Sequence, residues 1–137
     1  MGRECDSQAT IETIEIDRRI LDTARKFVGE ASLKCRVVFH EGAALQVLPK
    51  LEGTFDFLFI DCVKSEYEQY LDVMLPKLDR SAVIACDNLL WKGQVAAGVH
   101  DANTDALRAF NKRLAQDARL VTSILPLGDG TGVSVVI

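Results

Sequence analysis

The sequence contains no Cys-x-x-Cys spacing, no cluster of lysines and arginines, no Gly-x-Gly-x-x-Gly and no apolar run near the length of a membrane span. Each absence removes a class of function. Four cysteines (Cys5, Cys35, Cys62 and Cys86) without paired spacing argue against a zinc site and a disulfide frame. Three of them lie in or beside apolar, strand-like runs, which suits reduced thiols and a cytoplasmic protein. A net charge of -4 with no basic block argues against nucleic acid or an anionic membrane surface as partner, because both need concentrated positive charge. The opening "MGRECDSQAT" has no apolar targeting core, and a span needs roughly 18–20 apolar residues. Without Gly-x-Gly-x-x-Gly, a nicotinamide-dependent oxidoreductase rests on little more than alternating strands and helices.

What remains is 137 residues, 48% hydrophobic and 26% charged, enough apolar material for one globular domain built to take a small-molecule ligand. "TIETIEI" (10–16) alternates apolar and polar residues and predicts a strand ending at Asp17. A helix is expected over 18–28, with Ile20, Leu21, Ala24, Phe27 and Val28 inward and Gly29 as its stop. "CRVVFHE" is a strand and "AALQVLPKL" a short helical turn broken at Pro49. "FDFLFID" is a continuous apolar strand, which predicts burial on both faces. Ser65 is expected to cap a helix over 66–78 that ends near Pro76, with Tyr67, Tyr70, Leu71, Met74 and Leu75 on its inward face. "SAVIACD" is another buried strand, a helix is expected over 104–117 with Leu107, Phe110 and Leu114 inward, and "LGDG" joins two final strands as a hairpin. The pattern predicts an α/β fold, a three-layer Rossmann-like sandwich with a mostly parallel sheet and a C-terminal antiparallel hairpin.

Ligands of such sheets bind beyond the carboxyl ends of the strands, and Asp17, Asp61 and Asp87 each follow an apolar strand. Any one of them also reads as a helix cap or turn residue. Asp61, Asp87 and Asn88 together supply hard oxygen donors suited to Mg²⁺, Mn²⁺ or Ca²⁺. Lys64 reads either as a solvated lysine at a helix start or as a general base beside a cation. Trp91, in "LLWKG", reads as core or as a loop indole that stacks on a flat substrate. Glu15 and Asp17 suit the ribose hydroxyls of an adenosine, or are simply polar strand-end residues. "GDGTG" has no helix after it, so it reads as a hairpin turn and not a phosphate loop.

In order and spacing, "TIEID", "FDFLFID..K..Y..YL", "DNLLWKGQV", "LRAFNKRLAQDARL" and "LPLGDG" resemble the cation-dependent O-methyltransferases, the caffeoyl-coenzyme A and catechol O-methyltransferase family. The resemblance runs from about Thr10 to Ile137. It implies a class I S-adenosylmethionine fold, a divalent cation on Asp61, Asp87 and Asn88, a catalytic Lys64 and a substrate-side Trp91. It also implies cofactor contacts from Glu15, Asp17, Ala44, Asp61 and Cys62, and a phenolic or catechol-like methyl acceptor.

Two departures thin the cofactor side: Ala43 stands where many relatives carry Asp, and Val63 replaces the second acid of the common "DADK". A third is larger. The family places a strand and a Gly-rich loop before "TIEID", whereas nine residues precede Thr10 here. The expectation is a partial methyltransferase domain over 1–137, lacking that first strand and loop. Its sheet would then be open between the strands of Glu15 and Asp61, closed by rearranged pairing, by more chain or by a homodimer. The alternative is a non-catalytic remnant that keeps the fold for oligomerisation or metal binding.

Overall fold

The computed structural model describes residues 6–137, which fall into two units, the first ending at Leu51 and the second running from Glu52 to Ile137. The expected α/β class holds, and both units carry parallel strand pairs.

In the first unit, β1 (Thr10–Glu15), α1 (Arg18–Glu30) and β2 (Arg36–Glu41) form one β-α-β turn of chain, followed by α2 (Ala44–Val47) and a 3-10 turn at Leu48–Lys50 that contains Pro49. β1 and β2 run parallel, in register from Thr10↔Arg36 to Glu15↔Glu41. Asp17 starts α1 by accepting a hydrogen bond from the Arg19 amide at 2.8 Å. Two expectations are corrected here. Gly29 lies inside the last turn of α1 and does not end it, since the helix runs to Glu30 with Ala31 as its C-cap. The inward face is also narrower than the apolar pattern: Leu21 is buried, while Ile20 and Phe27 are 56% and 63% exposed. A two-stranded sheet covers only part of a broad apolar stripe.

The second unit contains β3 (Phe55–Ile60), α3 (Tyr67–Met74), β4 (Leu78–Cys86), α4 (Ala102–Gln116), β5 (Leu120–Leu125) and β6 (Thr131–Val136). The sheet order is β3-β4-β6-β5, with β3 and β4 parallel and β6 antiparallel to both of its neighbours. The β5–β6 hairpin therefore inserts β6 against β4. β4 begins at Leu78, ahead of the expected Ser81, and takes up the extra length through a register shift opposite Phe55 and Phe57, with Ser81 at φ 71°.

The core lies between one face of this sheet and helices α3 and α4. From the sheet come Ile60, Ala82, Ile84 and Cys86, from α3 Tyr67, Tyr70, Leu71 and Met74, and from α4 Leu107, Phe110 and Leu114. Phe110 meets Tyr67 edge-on, with ring centroids 5.3 Å apart at 81°. Thr122 Oγ1 shares a hydrogen bond with the buried Ser134 at 2.8 Å and donates to Leu114 O at 3.1 Å, which satisfies the polar groups on the buried face.

The opposite face corrects the expectation for β3. Phe57 and Phe59 are 40% and 51% exposed, so the strand is buried on one face only. Its strand partner among the described residues is β4 alone, and β1 pairs only with β2. Cys86 is buried, Cys35 half-buried and Cys62 exposed, while Cys5 lies outside the described residues. Burial pushes the Cys86 thiol up to about 12.

Truncation of Phe110 to alanine removes a fully buried ring from the joint between α3 and α4. The expected cost is about 3–5 kcal/mol, read as a lower urea midpoint; an unchanged midpoint would contradict this description of the core.

Candidate active site

The site begins with the register of two strands. Ile60 and Cys86 are paired neighbours, and the Asp87 amide extends the ladder by donating to Ile60 O at 3.0 Å. Asp61 and Asp87 therefore leave the carboxyl ends of β3 and β4 side by side. Lys64 follows in a 3-10 turn, Lys64–Glu66. Its Nζ donates to Asp61 Oδ1 at 2.9 Å and to the Tyr67 hydroxyl at 2.7 Å, and Tyr67 in turn donates to the Asp87 carbonyl at 3.2 Å. The Lys64 side chain is only 10% exposed. Nζ lies 5.0 Å from the centroid of the Tyr67 ring and 5.9 Å from that of Trp91.

Two sequence expectations change at this point. Ser65 does not cap the helix: it sits inside the 3-10 turn, and α3 starts at Tyr67 with no side-chain cap. Lys64 is not a solvated helix-start lysine, because Asp61 and two aromatic rings surround its ammonium. Sequence reasoning assigned Tyr67 to the core face and missed its hydroxyl, which joins Lys64 to the strand end carrying Asp87. The available signal was the i, i+3 spacing of Lys64 and Tyr67 at a helix start. Burial, and then the Asp61 carboxylate, push the Tyr67 phenol well above its ordinary range. It therefore stays protonated and remains a donor.

The loop after Asp87 has an unusual backbone. Asn88, Trp91 and Lys92 have φ of 60°, 47° and 53°, and Gly93 follows at 77°. A left-handed non-glycine residue costs roughly 1–2 kcal/mol, so this conformation must be held from outside. The β5–β6 turn holds one side: Leu89 N donates to Gly130 O at 2.8 Å, Leu90 N to Asp129 O at 2.9 Å, and Lys92 N to the Asp129 carboxylate. From α4, Asn111 Nδ2 donates to Leu89 O at 2.8 Å. Gly130, at φ 86°, is required by this contact, because a Cβ there would strike the Leu90 backbone and side chain, while a Cβ at Gly132 would displace the Leu89 side chain. "GDGTG" is thus a hairpin turn, as expected, and it also clamps the tryptophan loop.

The remaining predicted residues have local roles within their own units. Asp17 caps α1 and pairs with Arg19 at 2.9 Å, and Glu15 Oε1 accepts from the Asp17 amide at 2.8 Å. Ala44 opens α2. These three belong to the first unit. In the second unit Cys62 borders Tyr70, whose hydroxyl donates to Glu66. Among the described residues no three or more His, Cys, Asp or Glu side chains gather as a metal cluster. The donor set of Asp61, Asp87 and Asn88 nonetheless fits a hard divalent cation in chemistry: two carboxylates, each with one oxygen already engaged by a protein N–H, and one amide oxygen.

Comparison with known proteins decides the family. The O-methyltransferase family model matches residues 2–136. The chain belongs to the O-methyltransferase family. Tricin synthase 2 of Oryza sativa subsp. japonica is 33% identical over 133 residues, covering 88% of this chain and 46% of that protein. The caffeoyl-CoA O-methyltransferase of Populus kitakamiensis is 32% identical over 137 residues, covering 91% and 57%. Among solved structures, the O-methyltransferase TomG of Streptomyces achromogenes in complex with SAM superposes with a TM-score of 0.85 at 28% identity, over 93% of this chain and 62% of that one. The Bacillus cereus O-methyltransferase in complex with SAH gives 0.86 at 27%, over 94% and 63%. This O-methyltransferase chain spans about half the length of the curated relatives it matches.

The Tyr67→Phe variant keeps the ring and removes the hydroxyl that links Lys64 to Asp87 O. A loss of about 1–3 kcal/mol is expected in chemical denaturation, with native far-ultraviolet dichroism. A variant as stable as the parent would show that the hydroxyl carries no structural linkage.

Proposed function

We propose that residues 1–137 are part of one S-adenosylmethionine-dependent O-methyltransferase domain that acts on a catechol-like or caffeoyl-type hydroxyl with the help of a divalent cation. The observation that carries this reading is the enclosure of Lys64 Nζ by Asp61, Tyr67 and Trp91 at the carboxyl ends of β3 and β4, in a chain of this family. Support for the cofactor comes from the SAM-bound and SAH-bound relatives, and for a phenolic acceptor from the caffeoyl-CoA O-methyltransferases.

In this reading the acceptor ring lies against Trp91, and Lys64, having first released a proton to solvent, takes the hydroxyl proton on the lone pair of its neutral amine. The acceptor oxygen then attacks the sulfonium methyl in line as the carbon–sulfur bond breaks, so the chain's main contribution is positioning. Asp61, Asp87 and Asn88 would hold the cation, which when bound lowers the pKa of an acceptor oxygen. Asp61 then has two claimants, the cation and Nζ, which currently occupies Oδ1. Glu15 and Asp17 would face the ribose, Ala44 the adenine, and Asp61 and Cys62 the cofactor side of the site. The edge of β3, unpaired among the described residues, and the exposed Phe57 and Phe59 favour a homodimer.

A second reading, a non-catalytic remnant of the fold, is favoured by Ala43 and Val63, which leave the cofactor side without two acids that the family commonly carries. Transfer of labelled methyl from S-adenosylmethionine to a catechol or caffeoyl acceptor, with and without chelator, separates the two. The Lys64→Ala variant is expected to lose at least about 10²-fold in turnover while keeping cation affinity. Asp61→Ala is expected to lose both. Full turnover in Lys64→Ala would sink the base assignment, and no transfer by the folded parent would favour the remnant.

A further inference from the structure

Trp91 is the only tryptophan in the chain, and it sits in a segment that closes turn bonds of its own, Trp91 N to Asn88 O at 3.2 Å and Gln94 N to Trp91 O at 2.9 Å, over a strained backbone. Three of the residues from Asn88 to Lys92 hold left-handed φ without being glycine, so the loop would relax if it were released. Two anchors from distant parts of the sequence prevent this. The Asp129 carboxylate accepts from the Lys92 amide, directly after Trp91, while the Asp129 and Gly130 carbonyls hold Leu90 and Leu89. From the other side, the Asn111 amide holds Leu89 O.

Asn111 adds a second, independent sign. Its Oδ1 is buried with no hydrogen-bond partner among the described residues, whereas Nδ2 is committed to Leu89 O. A residue that merely filled space on α4 would not leave a buried acceptor unpaired. Reversing the amide would set two oxygens against each other, so the single donated bond is what this side chain supplies.

We propose that Asp129 and Asn111 are positioning residues that lock the Asn88–Gly93 loop and so fix the Trp91 ring beside Lys64. Both act through hydrogen bonds to the backbone on which Trp91 is carried, at Lys92 N and Leu89 O. The shape of the wall against which a flat acceptor would stack is thereby set from the β5–β6 turn, nearly forty residues along the chain. The consequence for acceptor choice rests on the proposed methyltransferase reading, but the anchoring does not.

Intrinsic fluorescence of the full 137-residue chain, excited at the red edge where only indole absorbs and tyrosine does not, reports this loop, because Trp91 is its single indole. Emission wavelength, steady-state anisotropy and acrylamide quenching are measured without cofactor or acceptor, alongside a thermal melt, so a failure here and a failure of the transferase reading are distinguishable. Asp129→Ala is expected to raise the displaced-loop population about tenfold, the equivalent of about 1.4 kcal/mol, seen as a red shift, lower anisotropy and stronger quenching well below the melting temperature. Asp129→Asn restores the parent signal, since its amide oxygen still accepts from Lys92 N–H. Asn111→Asp keeps the size but loses the donor to Leu89 O; it is expected to loosen Trp91 as well, and it serves as the reading if Asp129→Ala does not fold. A parent-like Trp91 signal in the folded Asp129→Ala chain, or in folded Asn111→Asp, would overturn the proposal. So would an Asp129→Asn chain as loose as the alanine variant.

Discussion

The Tyr67 hydroxyl is the joint on which the second unit turns. One oxygen accepts from Lys64 and donates to the carbonyl of Asp87, while its ring is fully buried against Phe110. Through these contacts the core between α3 and α4 fixes the position of a charged amine at the end of the sheet. The order of causes runs from packing to chemistry: Phe110 seats the ring, the ring aims the hydroxyl, and the hydroxyl holds Nζ between Asp61 and Trp91. A lysine on an exposed turn would sample many rotamers, and this one is already placed.

The same logic applies across the loop that carries Trp91. Its backbone has a shape its own residues disfavour, and the hairpin turn and α4 impose that shape. Stability from the β4–β6 and β5–β6 pairings is in this way spent on the geometry of a segment that contributes little to the core itself. The opposite face of the sheet is arranged differently. Phe57 and Phe59 stand exposed beside an unpaired strand edge among the described residues, in a chain that matches about half of its curated relatives.

Much of this was legible in the chain before any coordinates. β-branched runs marked the strands, the spacing of Leu107, Phe110 and Leu114 marked the buried face of α4, and acids placed after strands marked the edge where Lys64 sits. The failures have physical causes. A continuous apolar run says that a strand can be buried on both faces, not that something covers both, and β3 is covered on one. A serine before a helical pattern reads as a cap, yet the chain here first makes a 3-10 turn that places Lys64 under Tyr67. The roles of Asp129 and Asn111 left no local pattern, because each depends on a contact to backbone far away in sequence.

The central claim, that this chain carries the working edge of a methyl-transfer enzyme, is tested most directly by calorimetric titration of S-adenosylmethionine into the folded 137-residue chain with Mg²⁺ present, repeated with chelator. The account predicts saturable binding that approaches one cofactor per chain. A folded chain that takes up no S-adenosylmethionine would contradict it and leave the Lys64 site as the preserved edge of a non-catalytic fold.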